Sequence, residues 1–283
     1  MKEEIDASAT EQTKTKRLNI LRLRLRSKRE RRPRVIEGPH VGFYLLPNLF
    51  TSASLLCAFW AILKAFDGHF VTTAWLVLAA AIFDGLDGRV ARLTRTSSDF
   101  GMYFDSLADL VAFGVAPAVA VYKWALAYSF STSLGKLAAF GFVLCGALRL
   151  ARFNVLTTKI DKSVFVGLPI PGAAGVLISI ILFFHHVGWA KPDAPAPVPD
   201  LILFVTALLA YLMICTIEYP SFKNINLFRR QPLSTLLIAS FVVAVIVLES
   251  EKALFAIFTI YALSGPILWL IKKRGEEISS DET

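Results

Sequence analysis

Residues 72 to 109 read TTAWLVLAAAIFDGLDGRVARLTRTSSDFGMYFDSLAD: an apolar run ending in acids, a short basic connection, then a second run opening with acids. The first run spans 72 to 91 and the second continues to about 126. Each is long enough to cross a ~30 Å hydrocarbon layer as a helix rising 1.5 Å per residue. Asp84 and Asp87 are three apart and Asp105 and Asp109 four apart, so each pair shares one helix face with Cβ atoms roughly 5 to 6 Å from each other. The connection makes the helices antiparallel. The stretch therefore predicts a membrane hairpin whose two acidic faces meet at one end.

The rest of the chain has the same character. Of 283 residues, 55% are apolar and 18% charged, with mean hydropathy +0.57, a balance that excludes an ordinary water-soluble domain. Apolar blocks lie near 43 to 66, 72 to 91, 101 to 126, 134 to 156, 171 to 189, 200 to 217, 235 to 249 and 253 to 271. The fold expected is thus an all-α polytopic bundle of about eight transmembrane helices. Cys57, Cys145 and Cys215 fall inside these blocks without ligand spacing and read as small core residues. The first apolar run starts only after residue 40, so no cleavable signal peptide is expected.

Charge sets the expected orientation. Net charge is +8, yet residues 14 to 34 hold eleven Lys/Arg against Glu30 alone, so this stretch carries +10 and the remainder about −2. A basic run beside a first span marks a cytoplasmic N-terminus and attraction to anionic lipid; nucleic acid is not the expected partner. With that end inside, Arg92, Arg95, Lys159, Lys162, Lys223, Arg229, Arg230 and Lys272 to Arg274 all fall on the cytoplasmic side. The opposite loops carry few cations, among them Lys191 and Lys252, and an even number of spans satisfies every loop. The domain reading is a basic tail at 1–42, a membrane catalytic domain at 43–274 and a cytoplasmic tail at 275–283. His185 and His186 stand near the outer end of their helix as interfacial residues, and the Pro-rich loop from Lys191 to Asp200 reads as a rigid connector.

The four acids demand a partner. Asp84 lies thirteen residues into its block, about 20 Å along the helix and some 10 Å inside the hydrocarbon boundary. An ionised group there costs at least ~2.5 kcal/mol. Two divalent cations would balance four carboxylates, and ligation by oxygen alone, without His or Cys, favours Mg²⁺ or Mn²⁺, which complete their shells with water and phosphate oxygens. Gly88 and Ala91 remove bulk on the same helix, and Arg92 offers a planar fork for a phosphate. These features call for a phosphorylated substrate.

The pattern Asp84-x-x-Asp87-Gly88-x-x-Ala91-Arg92, eight residues, then Gly101-x-x-x-Asp105-x-x-x-Asp109 resembles the signature of the CDP-alcohol phosphotransferases at every position. The resemblance implies a membrane enzyme that moves a substituted phosphate from a CDP-linked donor to an alcohol and releases CMP. It further implies Asp84, Asp87, Asp105 and Asp109 as ligands of two metals, Gly88 and Ala91 as walls of the nucleotide pocket, Arg92 on the diphosphate and Asp109 as catalytic base. A homodimer around a six-helix core is implied as well, the last two helices being additions. A carboxylate that takes the proton of an attacking alcohol contributes roughly 10² to 10⁴ in rate.

The acceptor rests on further stretches. Leu46 to Thr51 (LPNLFT), Leu148 to Asn154 (LRLARFN) and Gly167 to Gly175 (GLPIPGAAG) are similar to bacterial-type membrane phosphatidylserine synthases. That implies CDP-diacylglycerol as donor, L-serine as acceptor and the bacterial inner membrane as location. A zwitterionic acceptor needs a cation for its carboxylate, for which Arg149 and Arg152 are the candidates; both also suit a helix end among lipid phosphates. Asn48 and Thr51 are candidates for the donor, with helix capping as the plainer reading. From its residues alone, Gly167 to Gly172 is a turn before a helix. Glycerol 3-phosphate, inositol phosphate or choline are the alternative acceptors, and a cation pathway in a transporter is the alternative outside enzymes, although transporters place such acids near the midplane.

Overall fold

In a computed structural model, the described residues are 41–94, 98–156, 165–188, 197–219 and 249–281. The chain divides into units at 1–41 and 42–283, and the second holds the helical bundle. The helices are α1 (Val41–Phe66), α2 (Phe70–Thr94), α3 (Asp99–Asp109), α4 (Ala116–Trp124), α5 (Thr132–Leu156), α6 (Ile170–His186), α7 (Val198–Ile214) and α8 (Ser250–Asp281). A π-helical turn, Leu110–Val115, joins α3 to α4 in one rod, so the described residues form seven rods. Five are long and apolar enough to span a membrane, namely Pro47–Phe66, Phe70–Val90, Phe100–Tyr128, Thr132–Val155 and Ser250–Arg274; α6 and α7 are shorter apolar helices. This is a polytopic integral membrane protein. The block expected at 235–249 and most of the Pro-rich loop lie outside the described residues.

Small and hydroxylated side chains hold the first hairpin together. Ala58, Ala61 and Ala65 on α1 and Ala74 and Ala80 on α2 are fully buried, which lets the backbones approach where no hydrophobic drive separates helix from lipid. Ser54 Oγ donates to the Ala80 carbonyl at 3.0 Å and Thr73 Oγ1 to that of Ala61 at 3.1 Å. Both bonds lock one antiparallel register. Nearer the acidic end, the same hairpin brings Thr51 to Asp87.

The π-turn has an identifiable cause. Pro117 has no N–H for the helix ladder and its ring crowds the carbonyl one turn back, while the Ala116 N–H bonds to the Val111 carbonyl five residues earlier. The wider turn directly follows Asp109 and sets the angle at which α3 leaves the acidic end.

α6 is the hub of the bundle. Gly172 to Leu182 are all buried, as befits a helix apolar on every side, and α6 packs on α2, α4, the π-turn and α8. Glycines allow the last of these contacts. A Cβ on Gly175 would lie 2.3 Å from the Phe258 ring and one on Gly172 3.0 Å from Tyr261 Cε1. Gly167 has φ +81, and a Cβ there would meet the Met213 carbonyl oxygen at 2.6 Å; at that angle only glycine is unstrained. The adjoining residues form a clip that sequence reasoning missed: Phe165–Val166 (β1) pairs antiparallel with Glu218–Tyr219 (β2). Its 2-residue strands leave the architecture helical.

Tyr219 fixes the direction of α8. Its ring fills the place a Cβ of Gly265 would take, and its hydroxyl donates to the Ala262 carbonyl at 3.1 Å. At the other end His186 Nδ1 meets Glu251 Oε2 at 2.7 Å. Gly265, where Tyr219 docks, and Ser250 therefore stand about 22 Å apart along α8 at 1.5 Å per residue. His186 thus sits at the end away from the acids, paired rather than merely interfacial.

Candidate active site

The hairpin register and the turn into α3 bring the acids together. Carboxylate oxygens of Asp84, Asp105 and Asp109 lie within 4.8 Å of one another. Asp87 stands beside this trio, buried, with Thr51 Oγ1 donating to its Oδ2 at 2.8 Å. Thr51 also reaches the Pro47 carbonyl at 3.2 Å. It thus serves a neighbouring acid directly.

Both helix ends are tied down. Ser98 caps α3, its Oγ accepting from the Gly101 N–H at 3.0 Å, and a Cβ on Gly101 would lie 3.2 Å from that oxygen and 3.4 Å from Asn48 Oδ1. A larger residue would therefore push α1, two turns in at Asn48, from the start of α3. One turn on, Asn154 Nδ2 donates to Ser106 Oγ at 3.0 Å, joining the end of α5 to the face between Asp105 and Asp109. Ser106 occupies an unspecified position of the acidic pattern, and only its neighbours hinted at it.

Clustered carboxylates repel unless a proton or cation lies among them. Asp105 Oδ1 is buried and has no hydrogen-bond partner among the described residues. A buried acceptor among other carboxylates fits a hard divalent cation, which takes oxygen ligands. The trio can therefore hold a metal ion, with Asp87 adjoining.

The remaining sequence candidates separate. Arg149, on α5, lies within electrostatic range of Asp109 and of Tyr261 on α8, and its Nε is buried without a hydrogen-bond partner among the described residues. Arg152 is exposed, and its Nη1 donates to the Ile214 carbonyl at 3.4 Å, where α7 ends. Gly88 lies on α2 beside Asp87. Ala91 and Arg92 continue the last turns of α2, with side chains outside the described residues. Beside the acids an apolar cavity of about 590 Å³ opens between α2, α6 and α8, with Ala81, Phe113 and Tyr261 in its wall. Tyr261 escaped sequence reasoning because nothing in the spacing of α8 marks it.

The family model described as CDP-alcohol phosphatidyltransferase matches residues 44–209, which include all four aspartates. The chain belongs to the CDP-alcohol phosphatidyltransferase family. It is therefore a membrane transferase of CDP-linked alcohols, and the match ends within α7, before β2 and α8. Among its relatives, the CDP-diacylglycerol–serine O-phosphatidyltransferase of Helicobacter pylori is 38% identical over 227 residues, 80% of this chain and 92% of that protein. The protein of the same name from Bacillus subtilis is 33% identical over 179 residues, 63% and 92% of the two chains. The archaetidylserine synthase of Methanothermobacter thermautotrophicus is 39% identical over 182 residues, 63% and 71%.

Proposed function

We propose that this family member transfers the phosphatidyl group of CDP-diacylglycerol to L-serine, giving phosphatidylserine and CMP. The observation that carries the serine reading is Arg149, a buried cation within electrostatic range of Asp109 whose Nε has no hydrogen-bond partner among the described residues. A free amino acid brings a carboxylate that such a guanidinium can bind by charge-assisted hydrogen bonds. The names of the relatives support the reading: the lipid differs between the phosphatidyl and archaetidyl proteins, whereas serine recurs. The apolar cavity beside the acids suits a donor with acyl chains.

In this reading Asp84, Asp87, Asp105 and Asp109 would hold two divalent cations, Mg²⁺ or Mn²⁺. Bound there, the cations would neutralise the diphosphate and stabilise the departing CMP. Asp109 takes the proton from the serine hydroxyl as its oxygen attacks the phosphorus that bears diacylglycerol. The new P–O bond forms as the bond to the CMP oxygen breaks, and CMP leaves with that electron pair. Arg149 orients the serine carboxylate, with Arg152 one turn on as a second cation; Arg92, Gly88, Ala91 and Asn48 receive the nucleotide end of the donor. Thr51 acts by holding Asp87. Direct attack is favoured because the acidic pattern contains no Cys or His nucleophile, and Ser106 is engaged with Asn154.

The reading extends to placement. The acidic end faces the cytoplasm of a bacterial inner membrane, supported by the basic stretch at 14–34. Residues 1–42 and 275–283 are cytoplasmic tails around a catalytic domain at 43–274, with eight spans, a six-helix core and a homodimeric assembly. The decisive experiment supplies purified protein in detergent with CDP-diacylglycerol, Mg²⁺ or Mn²⁺ and labelled serine. Labelled lipid formed in step with CMP is expected. Incorporation of labelled glycerol 3-phosphate, inositol phosphate or choline in place of serine would overturn the acceptor assignment.

A further inference from the structure

The cavity between α2, α6 and α8 holds about 590 Å³, a size typical of small-molecule sites. Small residues make the room, for on the α6 side its wall is Gly172, Ala174 and Gly175. Facing them are Val77 and Ala81 of α2 and Ile257 of α8. Ser264, the lining residue of α8 nearest the clip, turns its hydroxyl back to the Tyr261 carbonyl at 2.7 Å, so its donor is satisfied within α8. Ala81 precedes Asp84 by less than one turn of α2, and Phe113 follows Asp109 by about one turn. One end of the cavity therefore adjoins the acids. From Ser264 to Ile257 the α8 wall runs about 10 Å away from that end, in the direction of Ser250. Ile257 is 44% and Ile260 68% exposed while lining the space, so this wall borders the lipid.

The occupant follows from chemistry. Protein interiors are close-packed, and apolar walls gain dispersion contacts only from an apolar group that enters between them. At membrane depth the surroundings supply acyl chains rather than water. A lipid whose diphosphate is held at the acids has its chains beside the mouth of this cavity. We propose that the cavity is a chamber for one acyl chain of the CDP-diacylglycerol donor, and that Ile257, at its far end, limits the chain length admitted. This rests on CDP-diacylglycerol being the donor. α8 lies beyond the family match at 44–209, so the selection of chain length belongs to a helix outside the matched region.

The test compares donors that differ only in their chains. Purified full-length protein in detergent, with Mg²⁺ and serine, is given dioleoyl or dioctanoyl CDP-diacylglycerol, and CMP release yields the ratio of kcat/KM for the long donor over the short one. Ile257→Trp fills the far end and should lower this ratio by about tenfold, the scale of forcing extra methylenes into a filled space. Ile257→Ala lengthens the chamber and should raise it. Leu270→Trp, at a position of α8 that is 55% exposed and outside the cavity lining, should keep the wild-type ratio. An unchanged ratio in both Ile257 variants would overturn the proposal, leaving the space to bulk membrane lipid. So would an equal shift in Leu270→Trp, or a fall with both donors alike together with a lowered melting midpoint, the mark of a packing role. The ratio does not depend on which alcohol accepts, so failure of the wild-type enzyme to use serine would overturn the acceptor assignment alone, and failure to release CMP from either donor with any acceptor would overturn the donor assignment.

Discussion

Thr51 Oγ1 stands 2.8 Å from Asp87 Oδ2, and both residues are buried. The donor comes from α1 and the acceptor from α2, so the bond joins the hairpin register to the acidic site. Removal of groups that orient metal ligands costs about 10- to 100-fold in metal affinity. Thr51→Val, equal in shape and lacking the donor, should raise the Mg²⁺ or Mn²⁺ concentration giving half-maximal activity by about tenfold, and Thr51→Ser should restore it. A metal titration of initial rates reads both.

Asp109 and Asp84 share one cluster and should separate by kinetics. If Asp109 takes the serine proton, Asp109→Ala should lower kcat by about 10² to 10⁴ while CDP-diacylglycerol still binds. Asp84→Ala should weaken donor binding more. Equal loss of donor binding in the two variants, measured by isothermal titration with CDP-diacylglycerol, would remove the special role of Asp109.

The acids carry no His or Cys among them, so dependence on hard cations should be strict. Chelation with EDTA should abolish transfer, and excess Mg²⁺ or Mn²⁺ should restore it. Activity that persists after exhaustive chelation and dialysis would contradict a metal at Asp84, Asp105 and Asp109.

Gly175 admits Phe258, the place of its missing Cβ lying 2.3 Å from the ring. Gly175→Ala should therefore lower the melting midpoint in detergent, since forcing a methyl group into a packed contact costs about 1 to 3 kcal/mol. Phe258→Leu in the same background should recover part of the loss. No recovery would mean that α8 does not dock through this pair.

Helices were legible because their signal is local. A block expected at 134 to 156 stands as Thr132–Leu156, and one at 171 to 189 begins at Ile170 and ends earlier, at His186. The convergence of Asp84, Asp105 and Asp109 was legible for a related reason: spacings of three and four on an antiparallel hairpin leave little freedom. The stretch from Gly167 to Gly175 was legible only as a turn. Gly172 and Gly175 serve α8, whose contact with α6 depends on how distant segments pack. Arg149 and Arg152 show the same limit, for two cations three apart on α5 have separate surroundings, one beside Asp109 and the other at the end of α7.

Composition and spacing alone determined a membrane bundle and an acidic end to its second and third rods, because burial in lipid makes every charge conspicuous; the transfer chemistry came from the resemblance of the acidic pattern to a known signature. Tertiary structure decided that Thr51 supports Asp87, that Tyr219 anchors α8 and that a two-residue clip joins the segment before α6 to the segment after α7. Those contacts join residues far apart in the chain and depend on helix crossing and on glycine-sized gaps, which no local periodicity encodes.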